Sequence, residues 1–78
     1  MIRKPLTEWK REDYLEARDI ITDTRKKLGI YTGLRMTAAE ARRVITELEK
    51  AGEYSTAEYI ETIYHTEFKE AANNGKHR

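Results

Sequence analysis

Two tetrads, Thr37-Ala38-Ala39-Glu40 and Ser55-Thr56-Ala57-Glu58, constrain the fold of this chain more than any other feature. Each sets a hydroxyl three residues ahead of a glutamate. In a capping box the hydroxyl accepts from the glutamate's backbone N–H, and the glutamate carboxylate accepts from the N–H of the capping residue. Two helix starts, 18 residues apart, are therefore expected. Gly52 lies between them and can take the left-handed conformation that ends the first of these helices. Tyr54 and Tyr59 flank the second box at the spacing of a hydrophobic staple.

The apolar residues agree with that frame. Ala38, Ala41, Val44, Ile45, Leu48 and Ala51 recur at spacings of three and four, predicting a helix over about 38–51. Ala57, Ile60, Tyr64, Phe68 and Ala71, with Ile63 at the margin, predict another over about 56–73, which the run Asn73-Asn74-Gly75 would end. An earlier helix over about 8–28 would start at Thr7, with Pro5 confining its entry. Its inner side would carry Trp9, Tyr14, Ala17, Ile20, Ile21, Thr24 and Leu28. Arg25, Lys26 and Lys27 oppose the helix dipole in its last turn, and Gly29 follows as the stop. Ile30 is placed to make the apolar contact of a Schellman motif, and Leu34 and Met36 to close the end of the core. The expected fold is thus all-α: a small three-helix bundle in which the second and third helices form an antiparallel hairpin.

Seventy-eight residues suffice for one core, so residues 1–78 are expected to form a single helical domain with short flexible termini at 1–5 and 75–78. The chain has no cysteine, so neither a disulfide framework nor a thiolate metal cluster can support it. No apolar window approaches a membrane span, and the default expectation is a cytoplasmic protein with no membrane partner.

Charge narrows the partners. Fifteen cations face 14 anions, whereas a domain that neutralises phosphates usually shows a clear basic excess. Lys4, Arg11, Arg18 and Arg25 do recur every seven residues. If the first helix reached back to Lys4, they would form a basic stripe roughly 30 Å long at about 1.5 Å per residue. Glu8, Glu12, Glu16, Asp19 and Asp23 form an acidic ridge beside it that would repel the same phosphates. A helix-turn-helix reading fails on sign, because the third helix carries Glu58, Glu61, Glu67 and Glu70 against Lys69 alone.

Catalytic signals are weak. The single serine, Ser55, is accounted for as a cap, and the glycines Gly29 and Gly33 match no phosphate-loop spacing. His65 lies four residues after Glu61 on a face shared with Glu58, but no further metal ligand has a marked position, and His77 sits near the chain end. The sequence therefore predicts no catalytic residue, no cofactor and no metal.

What remains is contact with another macromolecule. Five tyrosines and a tryptophan supply the large amphipathic surfaces on which protein interfaces anchor. Tyr14 and Tyr64 are expected in the core. Tyr31, Arg35, Tyr54 and Tyr59, with the acidic Glu58 and Glu61, are the expected protein-binding residues. The expected function is a non-catalytic adaptor or inhibitor, of the kind short bacterial and phage accessory proteins often supply. The alternative is a nucleic-acid accessory acting through Lys4, Arg11, Arg18 and Arg25. Self-association is a third class, since the alanines of the second helix would allow close approach of another.

Overall fold

The computed structural model describes residues 2–69. A 3-10 turn at Leu6–Glu8 precedes three α-helices: α1 at Arg11–Lys27, α2 at Ala38–Lys50 and α3 at Tyr54–Ile63. After a turn at Tyr64, residues 65–69 are helical again. The protein is an all-α three-helix bundle in which α2 and α3 pack most closely. Ala71, His77, the expected end of the third helix at 73 and the terminal stretch 75–78 lie outside the described residues. No helix among the described residues is long and apolar enough to cross a membrane.

The middle helix follows its sequence signals closely. Thr37 Oγ1 accepts from the Glu40 N–H at 3.2 Å, and Glu40 Oε1 accepts from the Thr37 N–H at 2.9 Å. Gly52, at φ 79°, ends α2 in a Schellman motif: its N–H reaches the Glu49 carbonyl, and the Glu53 N–H reaches that of Leu48. Gly29 does the same for α1, with the Ile30 N–H on the Arg25 carbonyl at 2.8 Å and the Ile30 side chain buried. Both stops need φ > 0, which glycine adopts without the clash a Cβ would introduce.

Two helix starts differ from expectation. Helix α1 begins at Arg11, because Trp9 and Lys10 are extended and Asp13, not Thr7, caps the first turn: Asp13 Oδ2 accepts from the Lys10 N–H at 2.9 Å. Helix α3 begins at Tyr54, so Ser55 is already helical and cannot act as its cap. Ser55 Oγ instead donates to the Lys4 carbonyl at 2.7 Å, an acceptor 51 residues away in sequence. The early start also abolishes the staple, because Tyr54 and Tyr59 now lie about 140° apart around one helix axis.

Most of the core belongs to one cluster. Ala41, Val44, Ile45 and Leu48 of α2 meet Ala57 and Ile60 of α3 and Tyr64, closed at the loop end by Ile30 and Met36. Tyr64 is buried as expected, and its hydroxyl donates to the Met36 carbonyl at 3.0 Å. Leu34, expected to close the core, is 72% exposed. A second, smaller cluster joins Ile2, Trp9 and Ala17, with Leu6, Ile20 and Tyr59 against it. Ile2 is 5% exposed, so the N-terminal residues, expected to be loose, contribute to the core.

Candidate interaction face

The second cluster opens onto a trough between α1 and α3. Trp9, Tyr14 and Tyr59 form a triangle of rings with centroids 5.1, 5.3 and 5.5 Å apart, in the edge-on and tilted geometries that aromatic quadrupoles favour. Trp9 closes the inner side of the triangle, its indole N–H donating to the Lys4 carbonyl at 3.2 Å. Tyr14 was expected in the core, yet it is 41% exposed: its ring covers the cluster from outside.

From this aromatic end the trough runs down α1 past Leu15, Arg18, Ile21 and Thr22 to Arg25. Tyr59 and Ile63 form the α3 wall and Thr32 the far end, around a volume of about 470 Å³. Leu15 and Ile63 are 50% and 44% exposed. With Tyr14 they place three large apolar groups in water on one face, supported from beneath by Tyr59 and Ile21. The charged residues that line the trough, Arg18 and Arg25, are both cations.

Arg25 has a second task. Its Nη2 donates to the carbonyls of Tyr31 and, at 2.6 Å, Leu34. One guanidinium thereby holds both sides of the Thr32-Gly33 turn, and the Tyr31 and Leu34 side chains are 72% exposed. Gly33 lies against the Tyr31 ring so closely that a Cβ there would fall 2.3 Å from the phenolic oxygen. The ring is folded over its own turn.

The residues expected to bind partners are thus dispersed. Tyr59 lies in the trough. Tyr31 is in the loop beside its far end, while Tyr54 borders a separate hollow with Ile2, Arg3, Gly52 and Ser55. Glu58 and Glu61 share another, with Thr62 and His65. Arg35 is engaged internally: Nη1 pairs with Glu67 at 2.9 Å and the guanidinium sits 4.4 Å above the Tyr64 ring. The Glu67 carboxyl is held below the usual range by a backbone N–H and then by Arg35.

The basic stripe is shorter than the heptad spacing suggests. Lys4 lies ahead of α1, and its Nζ pairs with Asp13 at 3.2 Å. Arg25 is engaged by the loop, which leaves Arg11 and Arg18 on the helix with no ion pair among the described residues. No group of three histidine or carboxylate side chains placed to hold a metal occurs among the described residues.

Leu15, Tyr14 and Ile63 are the face residues the periodicity did not assign to an interface. A signal existed for one of them. At about 100° per residue Leu15 lies about 140–160° round α1 from Ala17 and Ile20, off the side that faces the core, and so had to remain outside. No protein-family model, no curated protein and no solved structure matches the chain, and the trough is read from its own chemistry.

Proposed function

We propose that the protein is a non-catalytic interaction module that binds another protein through the trough between α1 and α3. The observation carrying this reading is the contiguity of Tyr14, Leu15 and Ile63, each between 41% and 50% exposed, around the half-buried Tyr59. Scattered exposed apolar side chains are ordinary, whereas a contiguous patch with a polar rim is what a docking face looks like. The patch is backed by a rigid aromatic cluster, so little side-chain entropy would be lost on contact. Ser55 supports a non-catalytic reading, because its hydroxyl donates to the Lys4 backbone carbonyl. A nucleic-acid reading through the basic stripe would rest on Arg11 and Arg18, since Lys4 and Arg25 are engaged elsewhere.

The test is site-specific capture. A photo-cross-linking amino acid at Leu15 should trap a discrete protein in cells of the native source. Bait carrying Ile63→Asp should lose that adduct while keeping its helical circular dichroism. Adducts to nucleic acid, or protein adducts indifferent to Ile63→Asp, would remove this function.

A further inference from the structure

The trough has a length, a floor and a charge, and together these select among occupants. Tyr14 and Arg25 are eleven residues apart on α1, about 16 Å or three helical turns at 1.5 Å per residue. A channel of that length between two helices suits a short amphipathic helix laid along it, with apolar side chains at every third or fourth position meeting Leu15, Ile21 and Ile63. The rim then fixes the polarity of the guest. Arg18 and Arg25 line the trough with no carboxylate among the lining residues, and the acidic Glu12, Glu16, Asp19 and Asp23 are turned about 100–160° round α1 from Arg18, so acidic positions flanking the guest's apolar stripe would gain from the contact and basic ones would be repelled. A second copy of this chain laid trough to trough would bring two cationic rims together, which disfavours self-association through this face.

We propose that the α1–α3 trough receives an amphipathic helix of a partner protein whose apolar stripe is flanked by acidic residues. The proposal rests on the interaction reading above and adds the chemistry of the partner. Arg18 is the selecting residue, because its guanidinium has no ion pair among the described residues. Arg25 is a positioning residue, holding the loop that closes the far end.

Two synthetic 16-residue helical peptides with the same leucine stripe, one flanked by glutamates and the other by lysines, provide the probe. Fluorescence anisotropy at low salt should show the glutamate peptide binding the intact protein at least tenfold more tightly, with the preference shrinking as salt screens the rim. Amide shifts on binding should centre on Leu15, Arg18 and Ile63. Arg18→Glu should reverse the order of the two peptides, and Leu15→Asp should abolish binding of both. Equal affinity for the two peptides, no binding of either, or shifts confined to the Glu58–His65 face would overturn the proposal. So would a protein dimer that Leu15→Asp dissociates, since a second copy would then be the occupant. These outcomes are separable from failure of the broader reading. Capture that depends on Ile63 without peptide discrimination sinks the acidic-helix inference alone, whereas absence of capture sinks the interaction module.

Discussion

The two apolar clusters of this domain are built by different rules. In the larger one, α2 and α3 contribute residues three and four apart that meet across a three-residue turn, and the polar groups at the helix ends are satisfied within a few residues in sequence. In the smaller one, Ile2, Trp9, Ala17 and Tyr59 come from four separate stretches of chain, tied together by the Lys4 carbonyl, which accepts from both Trp9 and Ser55. The first cluster meets a smaller hollow of about 280 Å³ at Ile45 and Phe68. The second has Tyr14 and Tyr59 at its edge and continues into the trough. The part of a small core that local pattern does not dictate is here also the part that continues into the larger hollow, about 470 Å³ between α1 and α3.

The comparison breaks first at Leu48, which is 1% exposed in the larger cluster. Leu48→Ala should destabilise the domain by about 3 kcal/mol, within the usual span for such a truncation. Because a domain of this size is only marginally stable, protection should fall in all three helices together. Urea unfolding followed by circular dichroism, with amide exchange resolved by residue, would read both effects. Loss confined to α2 would show that the larger cluster is not the common support.

Ile2→Ala should have a smaller and more local effect, about 2 kcal/mol, since Ile2 belongs to the smaller cluster, whose surroundings can partly collapse into the space. Trp9 is the sole tryptophan, so its emission reports this cluster alone. The red shift should appear at lower urea than the loss of helix, and amides in the first turn of α1 should lose more protection than those of α2. Coincident transitions would mean that the two clusters form a single cooperative unit.

That contrast also explains what could be read in advance. Both ends of α2 and the stop of α1 were legible because Thr37 with Glu40, Gly52, and Gly29 with Ile30 act over three or four residues. The start of α3 was misassigned because Ser55 is diverted by Lys4, a partner that only the folded chain brings near. The start of α1 was misassigned because Asp13 reaches back to Lys10, whereas Thr7 is the residue that looks like a cap. The trough was the least legible feature, since it is made by the flanks of two helices whose crossing no single periodicity encodes. Leu15, off the apolar register, was its one sequence trace.

The smallest expected effect is at Asp13, which ties the second cluster to α1. Its carboxyl is held below the usual carboxylate range, first by the Lys10 N–H; burial works against this, and Lys4 adds to it. A lowered folded-state value means that the stabilisation is fully present above the ordinary carboxylate value, about pH 4, and is lost as pH falls from there through the lowered folded-state value. Glu47, lowered by Lys27, and Glu67 shift in the same direction, so whole-domain acid unfolding would not isolate Asp13. A local probe does. In Asp13→Asn the amide oxygen can still accept from Lys10, but it neither titrates nor pairs with Lys4. At pH 7 the first turn of α1 should therefore exchange severalfold faster than in the wild type. Between pH 5 and pH 2 the acid-induced change in Trp9 emission should flatten, while Lys27–Glu47 continues to couple α1 to α2 until Glu47 protonates. If the Trp9 acid response is the same in both proteins, Asp13 is not what holds the non-periodic cluster to its helix, and the trough's aromatic end depends on ring packing alone.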